Sequence, residues 1–452
     1  MDRLFHKGTR LLADTDPRFQ ALVLGAGLEC MLVAFGSFSD YFVHHFTMIP
    51  WVWFLACAWR SPLSPTAKKQ ILAGAAMALW FSVVQYYQQI TEGVSWLPGP
   101  FFTVYLLAFP FAAGADDGKR KLGLKLSGAL FLGASLILAF FIGLLALKLL
   151  PSLLQPYIYW DGARLRALRH PNVTGNCFLI AVGFCLFFFA STPKRRYKAI
   201  FLALAVLFFL PIIWTNSRTA ILTTCALCAG TVFFLIWKGG VKRFFLGAVA
   251  AAAALVLLFS LTQAVFSFHE NFLIRSYLQE QATTGITNPD LIVDQQTGEA
   301  NLHTDSSQNS LVQDLGTLNS RTSIWRASLR AVQADPMILV RGCSDIRTAI
   351  SNQHAWSLTH THNSWLEILL GLGLPGFLLS LAFTALALWH IFRIFFLGSH
   401  SLSRKIIALL ALCLLVSGIP ENVLFFPTKY YHYANFVFFL CLGYLTQWKE
   451  AE

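Results

Sequence analysis

The chain has 452 residues, of which 56% are hydrophobic, 15% aromatic and only 12% charged, with a mean hydropathy of +0.58. Apolar runs of about 20 residues, enough helix to cross ~30 Å of hydrocarbon, recur from end to end, which excludes a water-soluble globular fold and predicts an all-α, polytopic membrane protein. The formal net charge of +12 sits mostly in short connections between apolar runs; it is a topology signal, and nucleic-acid binding is a poor reading of it.

The N-terminal segment before the first apolar run is polar and basic and lacks a small-residue cleavage site, so no removed signal peptide is expected. Spans are predicted near residues 19–38, 42–59, 70–90, 99–115, 126–147, 172–191, 198–215, 219–237, 244–265, 374–396, 405–420 and 432–447. About twelve spans place both termini on one side. That side also carries Arg60/Lys68/Lys69, Lys119/Arg120/Lys121/Lys125, Lys194/Arg195/Arg196/Lys198, Lys238/Lys242/Arg243 and Arg404/Lys405, and the positive-inside rule makes it cytoplasmic. The organisation expected is a bundle over 1–265, an exterior segment over 266–363 and a C-terminal unit over 364–452.

On the exterior side, the segment from Lys148 to Pro171 carries Arg164, Arg166 and Arg169 against the positive-inside bias, followed by His170. Two readings stand: a helical turn paired to acidic groups such as Asp161, or a cationic rim that attracts an anionic head group. The sequon Asn172-Val-Thr174 opens a span and is discounted as a glycosylation site. Trp214-Thr-Asn-Ser-Arg218-Thr-Ala joins two spans at the same face. Its arginine either snorkels to lipid head groups or holds phosphate oxygens in a fork. Cys225-Ala-Leu-Cys228 has redox spacing but lies inside a span and reads as packing; Cys343 stands apart, so no disulfide framework is implied.

Within 266–363, residues 280–312 are polar and poor in large apolar groups, hence flexible or loosely folded. Residues 319–336 predict a helix: Asn319 or Ser320 caps it, Ile324, Leu329 and Val332 line its apolar face, and Pro336 stops it. Arg321 falls in its first turn, where free N–H groups also favour anions. The stretch His360-Thr-His362-Asn-Ser-Trp-Leu-Glu367 follows, and Ser364 with Glu367 reads as a capping box that starts a helix at Ser364. The apolar run from Ser364 to Phe396 would measure ~50 Å as one helix, too long for one span. Gly371, Gly373, Pro375 and Gly376 break it into a short helix at the membrane surface and a span from about Leu374. His362 thus lies at the water–lipid boundary, as a loop-bonded structural residue or as a proton acceptor. His360 and His362 lack further metal ligands at usual spacing, so no metal site is expected.

Three segments in this order resemble the O-antigen ligases of the O-antigen ligase/polymerase superfamily: Ser-Arg218-Thr-Ala at a span boundary, Ser-Arg321-x-x-Ile-Trp-Arg-x-x-Leu, and His362-Asn-x-x-Leu-Glu followed by Gly-Leu-Pro-Gly. The span count and the large loop before the last three spans also look like that family. The stretch from Asp335 to Cys343 departs from the usual Pro-x-x-Gly-x-Gly and retains only Gly342. The resemblance implies a GT-C-like bacterial inner-membrane glycosyltransferase with its large loop and active site in the periplasm. It would be inverting, independent of metal and without cofactor. Its donor would be an O-antigen polysaccharide on undecaprenyl diphosphate, and its acceptor a sugar hydroxyl of lipid A–core. Arg218 and Arg321 would bind the diphosphate and His362 would act as general base. Arg164, Arg166, Arg169, His170 and His360 are secondary substrate-binding candidates. The rivals are an O-antigen polymerase, a protein O-oligosaccharyltransferase with a larger exterior C-terminal region, and, in a different class, a lipid or polysaccharide transporter. A transporter would place ionisable groups inside the spans.

Overall fold

The computed structural model describes residues 17–35, 83, 117–161, 164–168, 170–269, 271, 291–293, 300–302, 318–343, 345–353, 361–397, 400–425 and 432–446. The spans expected near 42–59, 70–90 and 99–115 lie outside these residues except for Val83, as do Arg169 and His360. Among the described residues, six helices are long and apolar enough to cross a membrane. They belong to α2 (Asp117–Ala146), α3 (Pro171–Ser191), α4 (Arg195–Thr215), α5 (Arg218–Ile236), α6 (Val241–Phe268) and α10 (Ser364–Phe396). Helices α1 (Pro17–Phe35), α11 (Leu402–Ser417) and α12 (His432–Thr446) match three more of the expected spans. The 16 residues of α11 reach only ~24 Å as described, short of a full crossing.

Helix α3 is the axis of the bundle. It is buried at Pro171 and from Val173 through Phe187, and packs against α2, α4, α5 and α11. Its approach to α5 depends on Gly175, where a Cβ would stand 2.7 Å from Ala220 Cβ and 3.1 Å from Ser217 Cβ. Small residues permit this closeness where apolar tails offer helices no hydrophobic drive to associate. The contact fixes the start of α5 beside the start of α3, and Arg218 is the first residue of α5.

The segment after α2 forms no helical turn at Arg164 and Arg166. It forms an antiparallel ribbon, β1 (Tyr159–Asp161) with β2 (Arg164–Arg166), in which Asp161 pairs with Arg164 and Tyr159 with Arg166. Strand alternation puts Leu165 into the core and Arg164 and Arg166 on the other face. A second ribbon, β3 (Leu291–Val293) with β4 (Ala300–Leu302), gives local order inside the stretch expected to be loosely folded.

Helix α7 (Leu318–Ala334) forms over the stretch where a helix was expected. Its buried face is Ile324, Ala327, Ser328 and Ala331, with Val332 partly covered; Leu329 is 49% exposed. The expectation for Leu329 fails on geometry. Five residues after Ile324, it lies about 140° around the helix, whereas offsets of three, four and seven share a face. This face packs on Ile338 of α8 (Ile338–Arg341), on Ile346 and Ile350 of α9 (Ile346–Ser351), and on Leu370.

Helix α10 is two helices joined at Gly373, whose φ of 67° and ψ of −168° are non-helical. Helix α8 nests in this break. Gly342 also has positive φ, 72°; a Cβ there would collide with the Gly371 carbonyl, and one on Gly373 would lie 2.7 Å from Leu339 O. Cys343 N donates to Leu370 O at 2.6 Å. The one glycine retained in the Asp335–Cys343 stretch thus serves a tight turn that glycine alone adopts at little cost.

Candidate active site

The loop that precedes α10 and the turn that follows α11 are sewn together. Asn363, with its side-chain oxygen accepting from Trp365 N and Leu366 N, is the N-cap of α10. The capping box expected of Ser364 and Glu367 is therefore displaced by one residue. Glu367 Oε2 instead accepts from Thr361 N at 2.8 Å, and Ser364 lies inside the helix. The Ser364 hydroxyl, now free of capping, donates to Glu421 O and accepts from Val423 N and Leu424 N. Ser364 N donates to Gly418 O, and Asn363 Nδ2 to Ile419 O.

These bonds bring His362 to Glu421. The Glu421 carboxylate is 1% exposed; Oε1 accepts from Arg321 NH2 at 2.7 Å and from Asn172 Nδ2 at 2.7 Å. Its Oε2 stands 3.4 Å from His362 Nδ1, an ion-pair separation longer than an ordinary hydrogen bond. His362 has φ 51°, a left-handed conformation that costs a non-glycine residue about 1–3 kcal/mol and clusters at functional sites. Its side chain is 25% exposed and that of Arg321 is 31% exposed. The buried carboxylate thus lies behind two half-open groups. An imidazole whose Nδ1 faces a carboxylate is held in the tautomer that leaves Nε2 to accept a proton.

The cationic residues close the site from the bundle side. Asn216 ends α4 in a left-handed conformation, φ 47°, so that α5 starts two residues later at Arg218. The charges of Arg218 and Arg321 lie close enough to act on one another. Arg164 Nε donates to Thr215 O at 3.2 Å, which fastens the β1–β2 ribbon to this same turn. Arg166 NH1 reaches Tyr159 OH at 3.5 Å. His170 is the N-cap of α3: its Nδ1 accepts from Asn172 N at 3.2 Å. Burial pushes it below the usual histidine range; Glu421 pulls the other way, while Arg164, Arg166 and His362 depress it further. With Nδ1 committed to the helix cap, only Nε2 of His170 is left to meet a ligand. Among the described residues, no group of three or more His, Cys, Asp or Glu side chains is disposed to hold a metal ion.

Arg218, Arg321 and His362, together with Arg164, Arg166 and His170, meet at one end of the bundle. Sequence reasoning missed Glu421 and Asn172. Glu421 carried a signal: it is a carboxylate just after a long apolar run, and such a group demands a partner. Asn172 was noted only as a discounted sequon; its amide is committed to Glu421.

No curated protein matches the chain. Residues 203–381 match the family model described as O-antigen ligase. The match begins within α4, ends in α10 beyond its break, and contains Arg218, Arg321 and His362; Glu421, Asn172 and the β1–β2 ribbon lie outside it. Over that segment the chain is similar to the O-antigen ligase superfamily, and its six long apolar helices among the described residues fit a helical membrane protein.

Proposed function

We propose that this protein is an O-antigen ligase that transfers polysaccharide from undecaprenyl diphosphate to a sugar hydroxyl of lipid A–core at the periplasmic face of the inner membrane. The single observation that carries this reading is the buried Glu421 carboxylate, placed between the guanidinium of Arg321 and the imidazole of His362. The lipid diphosphate is a good leaving group that needs its developing charge neutralised more than it needs a proton. Arg218 and Arg321 supply fixed N–H donors for that charge, and the start of α5 adds its helix dipole. The acceptor hydroxyl is a weak nucleophile, and His362 Nε2 takes its proton as it attacks the anomeric carbon. The glycosidic oxygen then departs with the diphosphate, and inversion follows from attack opposite the leaving group. Glu421 orients His362 through Nδ1 and stabilises the imidazolium that forms. Its separation of 3.4 Å is of the kind that tightens when substrate closes a site. Arg164 and Arg166 sit at the rim as second donors to either phosphate.

Purified protein given undecaprenyl-diphosphate-linked glycan and lipid A–core is expected to produce glycosylated lipid A–core. Transfer only to a second lipid-linked repeat would identify a polymerase instead, and transfer only to a protein hydroxyl an oligosaccharyltransferase.

A further inference from the structure

The far end of α10 holds a second group of cationic side chains that the proposed transfer leaves unused. The last turn of α10, the first turn of α11 and the end of α12 enclose a cavity of about 250 Å³, lined by His390, Arg393, His400 and Arg404, with Leu445 and Thr446 opposite. Arg404 is fully buried, and its NH1 lies 3.0 Å from His400 Nδ1. A guanidinium only donates, so this contact makes Nδ1 the acceptor and leaves the His400 proton on Nε2. His390 is buried within reach of the charges of both arginines, and Arg393 is exposed at the mouth. No carboxylate lines the cavity among the described residues. A recess of one sign, walled by apolar helices, focuses a positive potential.

Size and donor type narrow the ligand. With a water occupying ~30 Å³ of liquid, the cavity has room for a phosphate group and a few waters. It falls below the ~300–1,000 Å³ of pockets that enclose a drug-sized molecule. Two guanidinium forks match phosphate oxygens. We propose that this recess binds a phosphate group, carried by an anionic lipid or free in solution, at the end of α10–α12 opposite His362.

The test uses the full-length protein in nanodiscs of phosphatidylcholine. One arm titrates phosphatidic acid and reads bound lipid by native mass spectrometry; the other titrates inorganic phosphate by calorimetry. Wild type is expected to bind at least one of them. The Arg393→Gln/His400→Gln variant, altered only at the rim, should bind it about 10–100-fold more weakly, from the loss of charge-assisted hydrogen bonds. Arg393→Gln alone, the gentler change should the double variant not fold, is expected to lose about tenfold. Tighter binding of phosphatidic acid assigns the site to lipid; equal or tighter binding of phosphate assigns it to a soluble anion. The proposal is overturned if wild type binds neither, or if the folded variants bind as well as wild type.

Discussion

The two ends of the α10–α11 pair carry the same residue types in different company. At one end Arg321 and His362 share the buried carboxylate of Glu421; at the other, Arg393, Arg404, His390 and His400 line a cavity with no carboxylate among the described residues. A carboxylate behind an imidazole turns it into a proton acceptor with a fixed free nitrogen. The same imidazole beside a guanidinium accepts at Nδ1 and is left with Nε2–H as a donor toward a ligand. What separates a catalytic histidine from a binding one is therefore the third group, and each prediction tests that difference.

The largest effect belongs to His362. With the alanine variant folded and still binding donor, transfer should fall ~10²–10⁴-fold, the usual contribution of a general base. A parallel loss of folded protein and activity would mean that His362 only holds the loop. Glu421→Gln keeps the shape and removes the charge. It should slow kcat ~10²-fold while the KM for donor changes less, since the group touches His362 and not the substrate. An equal rise in KM with an unchanged kcat would make Glu421 a mere anchor for Arg321. Arg218→Lys and Arg321→Lys should each cost ~10–100-fold, because a point charge cannot reproduce two parallel bonds to phosphate oxygens. Near-normal turnover in both would return these arginines to lipid snorkelling. Smallest of all, Arg393→Gln, at the other end, should leave transfer within about twofold of wild type, as surface changes away from a site do.

These residues were not equally legible in the sequence. Arg218, Arg321 and His362 could be singled out as candidates because each sits in a short segment with its own local grammar: a span boundary, a first helical turn, a loop before a cap. Glu421 could not, because its role depends on a loop and a turn distant in sequence being joined through Ser364. Apolar runs predicted spans but not which of them are central. Helix α3 is buried almost throughout, whereas α6, every bit as apolar, buries only Gly247 and Thr262. Lipid and protein core are equally hydrophobic solvents, so hydropathy cannot tell a helix that faces one from a helix that faces the other. Of the two readings of the arginine segment, neither foresaw a ribbon, because three-residue strands leave too short an alternation to recognise. At the break in α10 the glycines did announce the turn, but not that Gly342 would pack against it.

The proposed transfer requires His362 and Glu421 to act as a unit, and a double-mutant cycle on transfer rate measures this. Rates would be taken for His362→Ala, Glu421→Gln and the combined variant, each checked for folding and donor binding. Once the histidine is gone, the carboxylate has nothing left to orient. The combined variant should therefore be about as slow as His362→Ala alone, as expected for groups that act together. A combined loss equal to the product of the two single losses would show that they act independently, and would contradict the mechanism.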